Sequence, residues 1–290
     1  MSLLNYFKDL LGKYLSQKCI ESPVFIVGSG RSGTSVLLQA LGKHPDIIAL
    51  AGEAPFLTSI GGNAALFRSD NAEYYLNSLK TDIHYLFSSL SRLGLETAGG
   101  KHYAFKGFIR SLLRGELKRK KLWAAKTFPS ERVTNGLLEV YPKAKILYIT
   151  RNGIDVVHSM TKFHGFRTQT FVDQCQGWSD SVEKYRYLLH HNNALFLRQE
   201  DLLSNPDEFF KSIFDFLNIE YSPKSIDFTK NNIVHPLDQP SKNQQDIIFQ
   251  LKKRQSPFTS WTTEQKKTFI LICSNAMKEL KYPIPNPIHH

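Results

Sequence analysis

Pro23-Val24-Phe25-Ile26-Val27-Gly28-Ser29-Gly30-Arg31-Ser32-Gly33-Thr34-Ser35 is the stretch on which the reading of the fold turns. Five residues of buried-strand character end at Gly28, and from Gly33 the apolar spacing turns helical through Leu41 until His44-Pro45 stops it. Strand, glycine-rich turn and helix in that order is the setting that a phosphate-binding loop requires. Glycines let the backbone turn tightly and approach an anion, while the first amides of the helix point at that anion with the helix dipole behind them. Glycines alone would mark an ordinary turn. Here a cation and several hydroxyls stand among them, so Ser29, Gly30, Arg31, Ser32, Gly33, Thr34 and Ser35 are candidate anion-binding residues.

A nucleotide triphosphatase loop reads GxxxxGK[ST], but Thr34 stands at the lysine position and Arg31 lies inside the loop. A triphosphate needs that lysine and usually Mg²⁺. The loop therefore fits a transferring group of lower charge, handled by protein cations alone; an arginine fork bridges two oxygens and never loses its proton.

Further apolar runs suited to buried parallel strands are Leu122–Ala125, Lys145–Thr150 and Ala194–Arg198, with helical segments between and after them. The alternation predicts a P-loop-like α/β fold, a three-layer α/β/α sandwich around a central parallel sheet. Lys145–Thr150 ends at Arg151, and Asn152–Lys162 continues as a helix carrying Ser159 two turns along. In doubly wound sheets ligands bind at the carboxyl ends of strands, so Arg151 and the glycine-rich loop are expected to flank one crevice, with a second phosphate at Arg151. Phe171–Leu189 reads as one long helix, and Asn205 as the cap of a helix that has Pro206 at its first position. The 57–119 stretch is expected to supply helices and loops covering the site.

At 290 residues, with 41% hydrophobic and 22% charged residues and no internal repeat, the whole chain 1–290 reads as a single domain. A net charge of +11 attracts polyanions, although the basic runs Lys118–Lys121 and Lys252–Arg254 each read first as solvated faces. Cys19, Cys175 and Cys273 are odd in number and lack CxxC spacing, which argues against a disulfide framework or a zinc site and for a reducing, cytoplasmic setting. The segment 1–20 reads as an amphipathic helix, because Asn5, Lys8, Asp9 and Lys13 interrupt its apolar residues and exclude a membrane span there. A Golgi lumen would apply only to a form carrying a separate membrane anchor.

With both anion-binding stretches in place, the chain resembles the family of sulfotransferases that use 3′-phosphoadenosine 5′-phosphosulfate (PAPS), from Pro23 to about Tyr282. Gly30–Ser35 matches that family's 5′-phosphosulfate loop, and Arg151 with Ser159 its 3′-phosphate motif. His44-Pro45-Asp46 followed by Gly52-Glu53 is similar to the HPD…GE segment of protein-tyrosine sulfotransferases, and Trp123-Ala124-Ala125-Lys126-Thr127 to the W-x-x-K-[TD] strand end. Arg198-Gln199-Glu200-Asp201-Leu202, with Pro206 and Phe216-Leu217, is similar to the RYEDL…P…FL signature. The layout looks most like the tyrosine-sulfating and broad bacterial-type branches.

The resemblance implies Glu53 as general base, with Arg31 and Lys126 stabilising the sulfuryl and leaving-group oxygens. It implies PAPS as co-substrate, no metal, and an acceptor hydroxyl on a peptide tyrosine, glycan, lipid or small molecule. His44, next to Pro45 at a helix end, is read as a capping or packing residue. Gln199 stands where the family has Tyr, Phe128 follows Lys126-Thr127 where proline is common, and the glycine-rich C-terminal nucleotide loop of the cytosolic enzymes is absent, leaving Lys252, Lys253 and Arg254 as the nearest basic residues. The rival readings are a P-loop kinase or NTPase, which needs a loop lysine and a Mg²⁺-binding acid, and a non-enzymatic polyanion-binding module. Against the latter, no recognised nucleic-acid motif accompanies the charge, and no nucleic-acid partner is expected.

Overall fold

The computed structural model describes residues 22–53, 121–127, 131–232 and 256–285. The helix expected over 1–20, the cover expected over 57–119, Phe128 and Lys252–Arg254 lie outside them.

Five parallel strands form the sheet: β1 (Pro23–Val27), β2 (Ile47–Glu53), β3 (Leu122–Lys126), β4 (Lys145–Thr150) and β5 (Ala194–Arg198), in the order β2-β3-β1-β4-β5. The helices are α1 (Thr34–Leu41), α2 (Glu131–Val140), α3 (Gly153–Lys162), α4 (Phe171–Tyr185), α5 (Gln199–Ser204), α6 (Pro206–Leu217), α7 (Pro223–Asn232) and α8 (Thr263–Glu279). β1, β3 and β4 are inner strands covered on both faces, which is why each reads as an unbroken apolar run rather than an alternating one.

Alternate residues of those strands feed two cores. Val24, Ile26, Leu147 and Ile149 pack against α1, α6 and α7 through Leu37, Leu41, Phe210, Phe214 and Ile226. On the other face Phe25, Val27, Trp123 and Tyr148 pack with Leu137 of α2 and Tyr185 of α4. A third cluster joins α3, α4 and α8 through Val157, Trp178, Phe269 and Met277. Each fully buried Leu or Phe contributes roughly 1.5–3 kcal/mol. The layers are thus helix, parallel sheet, helix, as the sequence pattern predicts.

Two local readings are refined. The long helix expected over Phe171–Leu189 is α4 to Tyr185 followed by a 3-10 segment, Arg186–His190. β2, an edge strand over the apolar run Ile47–Ala51, was not among the expected strands. The cap at Asn205 is present, its side chain accepting from the Glu208 amide with Pro206 at the first helical position.

The strand order puts a crevice where the chain reverses direction. From β1 it proceeds through α1 toward β2 on one side, whereas from β4 it proceeds through α3 and α4 toward β5 on the other. β1 and β4 are neighbours, with Val27 in register with Tyr148. Their carboxyl ends flank the topological switch point, the place where open α/β sheets bind ligands.

Candidate active site

The loop after β1 is held by two backbone conditions. A Cβ on Gly28 would lie 2.2 Å from the Ile149 carbonyl oxygen of β4, so the strand end must be bare for β1 and β4 to lie side by side. Gly33, the residue before α1, has φ of 91°, and its helix start has no side-chain cap. The first amides of α1, which have no intrahelical acceptors, are left to whatever the loop binds. Arg31 adopts φ of 67°, a left-handed conformation uncommon for a side-chain-bearing residue.

Hydroxyls and cations fill the loop. Ser29 and Ser32 are buried and hydrogen-bonded to each other through their Oγ atoms. Thr34, at the position of the triphosphatase lysine, is buried as well. Lys126, the last residue of β3, is 9% exposed and donates from Nζ to Ser35 Oγ at 3.0 Å, which brings the strand-end lysine to the first turn of α1. Glu53 is paired in register with Lys126 across β2 and β3, beyond an irregularity that follows Ala49. The glutamate thus ends its strand beside the lysine.

The second cluster meets the first. Arg31 Nε donates to Ser159 Oγ of α3 at 3.0 Å, and Arg151 Nη1 lies 3.4 Å from the Arg31 carbonyl oxygen. The Arg31 guanidinium also lies over the Phe163 ring, 4.2 Å from its centre. Burial, and then the positive charge of Arg151, hold the Arg31 pKa below the ordinary arginine value. Two guanidinium groups held within each other's field favour an anion between them. Asp155, one turn into α3, lies 3.9 Å from Arg151.

A cavity of about 400 Å³ opens beside Arg151, walled by Asn152, Gln199, Glu200, Ser256 and Ile284 among others. Gln199 lies against the loop, its Nε2 3.2 Å from where a Gly33 Cβ would sit. Its Oε1 is buried without a partner among the described residues. An unsatisfied buried acceptor beside an anion site fits a ligand that brings a donor.

All the candidate residues with described side chains, Ser29 to Ser35, Lys126, Arg151 and Ser159, stand around the carboxyl ends of β1, β3 and β4. Glu53 stands with them as backbone. Sequence reasoning missed the Arg31–Ser159 contact and the Phe163 ring over Arg31, because neither has a local signal; Gln199 was visible only as a departure from a motif. His44 is buried, its Nε2 2.8 Å from the Glu220 carbonyl oxygen while Nδ1 accepts from the Asp46 amide at 3.0 Å; both nitrogens are used by the fold. Cys175 and Cys273 are buried free thiols. Among the described residues no helix is long and apolar enough to cross a membrane.

Comparison with known proteins shows which family and fold the chain shares. The sequence model of the sulfotransferase family matches residues 23–223. A protein-tyrosine sulfotransferase of Drosophila melanogaster is 22% identical over 214 residues, 69% of this chain but 38% of the fly protein. A putative protein-tyrosine sulfotransferase of Caenorhabditis briggsae is 25% identical over 214 residues, 71% of this chain and 69% of the nematode protein. Among solved structures, the sulfotransferase domain from the curacin biosynthetic pathway superposes with a TM-score of 0.54 at 16% identity, over 93% of this chain and 99% of that one. The sulfotransferase domain of the Synechococcus PCC 7002 olefin synthase gives 0.51 at 16% identity, over 93% and 98%. With a family match across most of the chain and the same three-layer fold, this protein belongs to the sulfotransferase family.

Proposed function

We propose that the chain transfers a sulfuryl group from PAPS to an acceptor hydroxyl. The observation that carries this reading is the convergence of Arg31 and Arg151 across the β1–β4 crevice, two cations from separate motifs meeting at one point. A donor with phosphate at both ends of one ribose needs two such anion sites. The uncapped start of α1 and Arg31 take the 5′-phosphosulfate; Arg151 and Ser159 take the 3′-phosphate. The unpartnered Gln199 carbonyl supports the fit, since a nucleoside supplies hydroxyl and amine donors.

In the proposed step the acceptor oxygen forms a bond to sulfur as the bond from sulfur to the phosphate oxygen breaks. Glu53 takes the hydroxyl proton, and the electron pair leaves on the phosphate of 3′-phosphoadenosine 5′-phosphate (PAP). Arg31 and Lys126 stabilise that charge from fixed positions. The protein supplies the cations itself. Tyrosine in an acidic peptide is the first acceptor to try, in view of the named relatives and the net charge of +11.

The test is transfer from labelled PAPS to a panel of hydroxyl acceptors: tyrosine peptide, glycan, lipid and small alcohol. Transfer to any of them, with none of the label moving in the Arg151→Ala variant at the same donor concentration, is expected. Turnover of ATP with Mg²⁺ and none of PAPS would replace this reading with a phosphoryl transferase.

A further inference from the structure

The carboxylate of Glu200 sits at the edge of the second anion site, where a negative charge opposes phosphate binding. It is committed to two donors. Oε1 accepts from the Asn152 amide at 2.8 Å, and Oε2 from the Tyr282 hydroxyl at 2.9 Å. Asn152 is the hinge between Arg151 and α3: its side chain accepts from the Ile154 amide at 2.9 Å and caps the helix that carries Ser159. Whatever fixes the Asn152 peptide therefore fixes the direction in which Arg151 leaves β4 and that of the helix carrying Ser159.

Tyr282 comes from the far end of the described chain and is held there on several sides. Lys281 turns the backbone after α8 with φ of 56°. Arg198 donates from Nη2 to the Leu280 carbonyl oxygen at 2.7 Å, and its guanidinium carbon lies 5.0 Å from the Tyr282 ring centre. The Tyr282 hydroxyl is also 3.2 Å from Thr150 Oγ1, at the end of β4. The ring is 8% exposed, and burial together with the nearby Glu200 charge pushes its pKa well above the tyrosine range, so the hydroxyl remains a donor at working pH.

We infer that Tyr282, acting through Glu200 and the Asn152 amide, is a positioning residue for the 3′-phosphate site, and that the segment after α8 is a built part of nucleotide recognition. The inference rests on the nucleotide reading above. A tie needed only to anchor the chain end would not require an acid beside an anion site, nor pass through the residue next to Arg151. The carboxylate accepts from an amide and a phenol at once, one on each oxygen.

The experiment compares PAP with adenosine 5′-monophosphate, which lacks the 3′-phosphate, by calorimetric titration of the full chain. Tyr282→Phe keeps the ring over Arg198 and removes the hydroxyl's hydrogen bonds to Glu200 and Thr150. It is expected to weaken PAP binding about 5- to 10-fold, while changing the monophosphate by less than about two-fold. KM for PAPS rises by the same factor with kcat little changed. Glu200→Gln, which accepts through only one oxygen, acts in the same direction and serves as the second variant, with thermal melts reporting the fold of each.

In an Arg151→Ala background the effect of Tyr282→Phe on PAP is expected to vanish, because the two act through one path. Equal losses for both nucleotides, or an undiminished Tyr282 effect without Arg151, would reduce the tie to a structural anchor. A wild-type preference for PAP that both variants leave intact overturns this inference alone. A wild-type chain that binds PAP no tighter than the monophosphate overturns the nucleotide reading along with it.

Discussion

Arg31 and Ser159 lie 128 residues apart in the chain and are joined by a 3.0 Å hydrogen bond from Nε to Oγ. The contact holds one edge of the guanidinium while the Phe163 ring covers its face, so Arg31 is oriented before any ligand arrives. Preorganised cations stabilise developing charge without reorganisation cost at the moment of reaction. Ser159→Ala is expected to weaken PAP binding by about 10-fold, the size of a hydrogen bond to a charged group. Titration calorimetry reads this directly; unchanged affinity would leave Ser159 as a spectator.

Glu53 ends β2 in register with Lys126, and Lys126 reaches Ser35 in the first turn of α1. In the proposed reaction Glu53 is the base and Lys126 the cation, and their adjacent strand ends suit proton removal and leaving-group stabilisation. Glu53→Gln should reduce kcat by about 10²–10⁴-fold while PAP affinity stays nearly constant. Equal turnover in the variant would take Glu53 out of the chemistry and leave it a structural partner of the lysine.

Gly28 and Gly30 separate backbone need from local space. A Cβ on Gly28 meets the Ile149 carbonyl oxygen at 2.2 Å, which is backbone of the neighbouring strand; on Gly30 it meets the Phe166 ring edge at 3.1 Å, which a side chain can relieve. Gly28→Ala is therefore expected to cost about 1–3 kcal/mol and to impair nucleotide binding, since β1 and β4 must part at the switch point. Gly30→Ala should cost less in thermal melts. The reverse order would mean that the loop, not the strand pair, sets the tolerance.

The inner strands β1, β3 and β4 were legible because burial on both faces leaves a continuous apolar signature, and the edge strand β5 carries the apolar run Ala194–Leu197, whereas β2, Ile47–Glu53, was not read. Its run Ile47–Ala51 is apolar but short, and such a run does not by itself separate a strand from a buried helix segment. Glu53 entered only through a resemblance. The cradle was legible for the opposite reason: glycines, hydroxyls and an arginine at a strand-to-helix turn have few other uses. What joins the cradle to Arg151 is tertiary, as is the path from Tyr282 through Glu200, and no local propensity encodes either contact. His44 shows the same limit, since its acceptor is the carbonyl of Glu220, 176 residues away.

The aromatic side of the core sets an alkaline limit to the fold. Burial pushes Tyr141, Tyr148 and Tyr185 above the tyrosine range, and pushes Tyr187 up to about 12 against the effect of its hydrogen bond with Thr134. Each folded pKa lies above the unfolded value, so the folded state holds more protons once pH passes about 10, and stability must fall from there upward. Below that pH the contribution is complete and the melting temperature should be insensitive to these groups. Tyr141 offers the cleanest probe, because its hydroxyl is buried without a hydrogen-bond partner among the described residues. Tyr141→Phe removes an ionisable group and an unsatisfied oxygen together. It should leave the neutral-pH melting temperature equal or higher and make the alkaline decline shallower. A steeper decline in the variant would mean that Tyr141 is not among the groups that unfold the protein at high pH.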